Sequence, residues 1–137
     1  MKKIKIIITI ATILCIGILV LFTFTGGKCY DVALKKYKVN ETSINIEVMK
    51  TSSYGYLRSI GIVESHDDTK VYVNFNSTFG INNSLSAQNV FDISYPEDCK
   101  EIYFETGENQ HQLIFHRKSI KDDWQLAPGI KVLDEDE

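Results

Sequence analysis

The sequence predicts an all-β domain, a single antiparallel β-sandwich of immunoglobulin-like type or a small barrel, preceded by one N-terminal transmembrane helix. Three observations predict it. Residues 6–25 carry no charge and are dominated by Ile, Leu, Val and Phe. Six or seven later stretches alternate apolar and polar residues with period two, as half-buried strands do. Turn-forming clusters separate those stretches at the spacing of an all-β domain. The 137 residues suffice for one such domain with appendages, and a composition 44% hydrophobic and 24% charged excludes a disordered chain.

The chain begins with a basic head, residues 1–5, containing Lys2, Lys3 and Lys5. The apolar run 6–25 has the roughly 20 residues an α-helix needs to cross the hydrocarbon core. It ends in FTFTGGKCYD, residues 22–31, where three fates compete. Thr25-Gly26-Gly27 offers small residues for signal cleavage, but the run exceeds the roughly 7–15 residues of a secretory core. Lipidation at Cys29 fails because Lys28 precedes it, and Cys15 lies too early behind Leu14. Length favours an uncleaved signal anchor. The lysines before the span and those at 28, 35, 36 and 38 nearly balance. The short basic head resembles an export signal, so the expected location is the cell membrane, single-pass, with the outer domain extracytoplasmic and the bilayer contacted through residues 6–25.

Residues 26–41 read as a juncture, in which Tyr30–Tyr37 forms a turn or two of helix or an irregular first strand. The β-rich domain is expected over 42–133. Ile44, Ile46 and Val48 alternate with Asn45 and Glu47; Tyr56 to Val63 is β-rich; Val71, Val73 and Phe75 alternate with Tyr72 and Asn74. Phe91 and Ile93 flank Asp92, Ile102 and Phe104 flank Tyr103, and Leu113 and Phe115 flank Ile114. The inward set is then Ile44, Ile46, Val48, Val71, Val73, Phe75, Phe91, Ile93, Leu113 and Phe115, with Asn45, Glu47, Asn74 and Asp92 outward. Ser65–Thr69 and Thr106–Asn109 are turns, the latter with Gly107 free to take a positive φ. Ile130, Val132 and Leu133 form a last apolar group before an acidic tail, 134–137.

Most chemistries lack their residues. The net charge of −3, without an arginine cluster, argues against nucleic acid. No serine sits in a Gly-x-Ser-x-Gly elbow, and Gly26-Gly27-Lys28 lacks the rest of a phosphate loop. His66-Asp67-Asp68 reads as a turn, since Asp side chains stabilise turns themselves. His111 and His116 stand five positions apart, an odd offset that puts them on opposite faces of a regular strand unless a bulge intervenes. The tail lacks a fixed loop of oxygen ligands for Ca²⁺, and the triplets at Asn40, Asn76 and Asn82 read as chance matches to a glycosylation acceptor. No catalytic, cofactor-binding or metal residue is expected, and the chain is expected not to be an enzyme. Of the three cysteines, Cys29 and Cys99 are the pair outside the apolar run, open to a disulfide or to two free thiols.

The aromatic residues supply the candidate interaction face. Tyr72 and Tyr103 point away from the expected core and, if their strands pair, share an exposed face with Ile114.

The succession KVYVNFNSTFGINNS, VFDISYPEDCKEIYF and HQLIFHRK, between Lys70 and Lys118, together with the basic head and apolar segment, resembles small membrane-anchored envelope proteins of low-GC Gram-positive bacteria. That group has no characterised activity, so the resemblance implies a layout and no site residue. The expected function is a membrane-tethered extracytoplasmic binding or scaffold module with an envelope protein as partner. A narrower form is an immunity or inhibitor protein that blocks a toxin at the membrane. The alternative is a small cell-envelope enzyme with an unrecognised polar site.

Overall fold

The computed structural model describes residues 1–24, 26–52, 55–78 and 83–133. The acidic tail, Thr25 of the cleavage candidate and Asn82 of the third triplet lie outside the described residues.

Helix α1 spans Lys2–Phe24 and is long and apolar enough to cross a membrane. None of its apolar span is buried against the β-domain. The hydroxyls of Thr9 and Thr12 donate to the carbonyls of Lys5 and Ile8, each at 2.9 Å, so the two polar side chains are satisfied within the helix.

Among the described residues nine strands follow: β1 Lys28–Cys29, β2 Val32–Val39, β3 Ser43–Lys50, β4 Leu57–Glu64, β5 Lys70–Ser77, β6 Val90–Ser94, β7 Glu101–Gly107, β8 Gln110–His116 and β9 Gln125–Leu126. Of the two readings open for Tyr30–Tyr37, the irregular first strand is the one found, as β2, and both β1 and β2 of the expected juncture belong to the sheets. Val32, Leu34 and Tyr37 are held by pairing with Lys50, Val48 and Ile46, which decides for strand over helix in Val-Ala-Leu-Lys-Lys-Tyr-Lys-Val. A bulge between Leu34 and Lys36 breaks its alternation.

The strands form two open sheets. One is β2-β3-β6, antiparallel throughout. In the other, β4 takes one edge of β5, and β7 and β1 share the opposite edge, β7 along Lys70–Val73 and β1 along Phe75–Asn76. β8 and β9 continue outward from β7. The β5–β7 pairing is parallel, which corrects the expectation of a wholly antiparallel domain. The chain leaves β5, runs through β6 in the other sheet, and returns in the direction it left, so β5 and β7 meet parallel without a helical crossover.

One core lies between the sheets. Ile44, Ile46, Val48, Phe91 and Ile93 of the first sheet meet Val71, Val73, Phe75, Ile102, Phe104 and Phe115 of the second. Phe75 packs edge-on to Phe104 in its own sheet at 4.9 Å and to Phe91 across the core at 6.2 Å. Tyr37 meets Phe115 the same way at 5.1 Å. The expected inward residues are buried except Leu113, which is half-buried, and Asn45, Glu47, Asn74 and Asp92 lie outside the core as expected.

The difference at Leu113 has a local cause. Ile102 opposes Phe115 and Tyr103 opposes Leu113, so Ile114 is the extra residue of a β-bulge. Ile114 is only 4% exposed and joins Phe115 in the core. Ile114 is thus removed from the candidate outer face, and Leu113 takes its place opposite Tyr103.

Turn chemistry follows the sequence at Ser65–Thr69. The Asp67 carboxylate accepts from the hydroxyls of Ser65 and Thr69 and from the Thr69 amide, while Asp68 takes a φ of 54°. In the β7–β8 hairpin the positive φ belongs to Asn109, at 58°, and not to Gly107.

Candidate interaction face

Tyr72 and Tyr103 lie directly opposite one another across the parallel β5–β7 pair. Their rings stack with centroids 5.3 Å apart and planes 24° from parallel. His111 stands edge-on to Tyr72 at 4.8 Å. The cross-strand register extends this row from Val63 on β4, 55% exposed, through Tyr72 and Tyr103 to Leu113 on β8. It is an apolar stripe across the outer face of the larger sheet.

His111 is the member that the sequence reading missed. On a regular strand it falls on the face opposite to His116. With the bulge at Ile114, His111 opposes Glu105 and His116 opposes Glu101, two outer-face positions of β7. Both histidines therefore share the outer face. Four residues of β7 separate their levels, about 13 Å at strand rise, so they do not meet on one ion. Among the described residues no group of three potential metal ligands converges.

Ion pairs bracket the stripe. Toward one end, Glu101 accepts from the Tyr103 hydroxyl at 2.9 Å and pairs with Lys70 at 3.4 Å. Toward the other, Lys28 pairs with Glu105 at 2.8 Å, where β1 meets the end of β7. The bond to Glu101 raises the Lys70 pKa, and the bond to Glu105 raises that of Lys28. Partial burial, and then the bond to the Glu101 carboxylate, push the Tyr103 phenol upward, so it keeps its proton. Lys28, Val63, Tyr72, Asn74, Glu105 and His111 border a concavity of about 220 Å³. The Asn74 side chain covers Gly61 on β4, where a Cβ would collide with it.

Cys29 and Cys99 are buried and unpaired. Cys29 lies opposite Phe75, whereas Cys99 precedes Glu101, the partner of Lys70, so the two stand on the order of 20 Å apart along β5. A disulfide needs Cα atoms within about 7 Å, so this fold rules the bridge out. Burial pushes both thiols up to about 11, and the Asp31 carboxylate, 3.0 Å from Cys29 Sγ, adds to the shift there.

A second cluster, at the opposite end of β5, was not anticipated. Arg117 donates from Nε to the Cys99 carbonyl at 2.7 Å, from one terminal nitrogen to Glu97 at 2.9 Å, and from the other to Ile120 at 3.1 Å. Its guanidinium lies 4.6 Å from the Trp124 ring centre and 5.5 Å from that of Tyr95. The Arg117 planar fork thus ties the segment after β8 to the β6–β7 loop through three carbonyls.

Comparison with protein-family models, with curated proteins and with solved structures gives no match.

Proposed function

We propose that this chain is a single-pass membrane protein whose β-domain stands outside the cytoplasm and acts as a binding or scaffold module for an envelope protein, without chemistry of its own. The two open sheets are read as an immunoglobulin-like sandwich, a reading supported by the Phe75–Phe91 and Tyr37–Phe115 contacts between them. The membrane assignment is supported by α1, and the outward orientation by the basic head before it.

The observation that carries the binding role is the stacked Tyr72–Tyr103 pair with His111 beside it. The rings are half-buried, and strand pairing fixes their positions. Rigid aromatic groups lose little conformational entropy on binding and are enriched at protein interfaces. The bracketing ion pairs supply a charged border of both signs. An immunity or inhibitor protein that occludes a membrane-acting toxin is the narrower form of this role.

The test is site-specific photocrosslinking in native cells from position 63, at the exposed end of the stripe. The expected result is an adduct with one envelope protein that is lost on Tyr72→Ala. Absence of any adduct from position 63, with the protein present at its normal level, refutes the binding role.

A further inference from the structure

The β-domain has a second exposed apolar region, at the end nearest the anchor. Tyr56 is 46% exposed, Met49 42% and Leu85 46%. Met49 and Tyr56 border a concavity of about 350 Å³ floored by Val48 and Leu57, with Lys50 at its margin. The region is joined directly to the chain leaving the helix. Ser77 donates its amide to the Gly27 carbonyl at 2.8 Å, and Thr78 donates to the Tyr56 carbonyl at 2.8 Å. Gly26 sits so close to the Ser77 backbone that a Cβ there would collide with its carbonyl oxygen. Leu85 is tied to the same end, because its carbonyl accepts from Arg58 at 3.3 Å while Gln88 donates to the carbonyls of Leu57 and Arg58.

Length decides what this end faces. Residues 6–24 rise about 28 Å as a helix, close to the roughly 30 Å of hydrocarbon. The helix has no turn to spare outside the core. Only residues 25–27 separate it from β1, a reach of about 10 Å. The headgroup layer is itself about 5–8 Å thick on each side. A domain held on so short a lead, by backbone bonds that start at Gly27, has its Tyr56 end against the membrane surface.

We infer that Tyr56, Met49 and Leu85 form a second, interfacial membrane contact, seated in the headgroup layer of the bilayer that α1 crosses. The inference rests on the proposed anchor. Tyrosine suits the position, since its ring enters the apolar boundary while its hydroxyl stays hydrated. The contact holds the domain upright, with the Tyr72–Tyr103 stripe on its flank.

The test uses the full chain in phosphatidylcholine vesicles brominated on the upper acyl chain, a short-range quencher of tryptophan. The native Trp124 serves as the control, because it belongs to the Arg117 cluster at the far end of β5, about 25 Å from Ser77. Wild-type emission is expected to match that in unbrominated vesicles, whereas Tyr56→Trp adds a blue-shifted component that the bromines remove. Should Tyr56→Trp not fold, Leu85→Trp takes its place with the same expectation. Chain that floats with the vesicles, yet whose added tryptophan is no more quenched than Trp124, overturns the contact and leaves the anchor standing. Chain that does not float with the vesicles overturns the anchor and the contact together.

Discussion

Replacing Arg117 by Ala should destabilise the β-domain by about 3 kcal/mol, although the side chain is only half-buried. Three hydrogen bonds from a charged donor, at roughly 1.5–3 kcal/mol each, would sum to about 4.5–9 kcal/mol, a large share of the roughly 5–15 kcal/mol stability of a small domain. Two of them need discounting, because the bonds to Glu97 and Ile120 lie at the surface, where water replaces the lost donor. The bond to Cys99 is partly buried and retains most of its value, about 2 kcal/mol. The stacked guanidinium over Trp124 and Tyr95 adds about 0.5–1 kcal/mol. With a urea dependence of about 2 kcal/mol per molar, the midpoint should fall by about 1.5 M. Trp124, the single tryptophan, reports the transition by its own fluorescence in detergent-solubilised full-length chain. Arg117→Lys is the sharper variant. A lysine keeps the charge but cannot present a planar fork to three carbonyls, so it should recover less than half of the loss. A lysine variant that unfolds with the wild type would refute the fork as the source of the stability.

Three further outcomes follow from the core, the thiols and one turn. Phe75→Ala should cost about 3–5 kcal/mol, because it empties the contact between the sheets, whereas Tyr72→Ala should cost about 1 kcal/mol; thermal melts of the pair decide between them. At pH 8 the native chain should leave Cys29 and Cys99 unmodified by iodoacetamide, since burial holds both thiols protonated at about 11, and urea should expose both. Mass analysis under oxidising conditions should find no bridge between them. The Asp67 carboxylate is depressed to about 2 by its bonds to Ser65 and Thr69, so its support for the turn is complete above the ordinary carboxylate range near 4 and is lost as pH falls through about 2. Amide exchange in the 65–69 turn should therefore accelerate over that acid window, and Asp67→Ala should abolish the change.

The strands from Ile44 onward were legible because each buries one face, and period-two alternation is the direct imprint of that geometry. Val71, Val73 and Phe75 could be placed inward by pattern alone, and the opposite parity put Tyr72 outside. Two kinds of information were not there to read. One is the single inserted residue: the bulge at Ile114 inverts the parity of half a strand, burying Ile114, releasing Leu113 and bringing His111 to Tyr72. The other is partnership at long range. Local pattern in Leu34–Tyr37 leaves helix and strand both open, because the order of β2 comes from β3, and nothing in the irregular segment 117–124 announces that Arg117 finds three carbonyls and two rings. The distance between Cys29 and Cys99 is likewise a property of strand order, which periodicity does not encode.

The shared edge of β5 sets an order of assembly for the emerging chain. The β2–β3 and β4–β5 hairpins close locally and can form while later residues are still being made. The other edge of β5 has only the two-residue β1 to cover it until Glu101–Phe104 arrive. Through that interval the segment Val71–Val73, rich in β-formers, presents unpaired backbone on that edge to any neighbouring chain. If α1 enters the bilayer as proposed, it would separate nascent copies from one another in the plane of the membrane. With the anchor proposed above, the N-terminal segment would act as a built-in chaperone for a β-topology that leaves one edge of its central strand largely open until Glu101–Phe104 emerge.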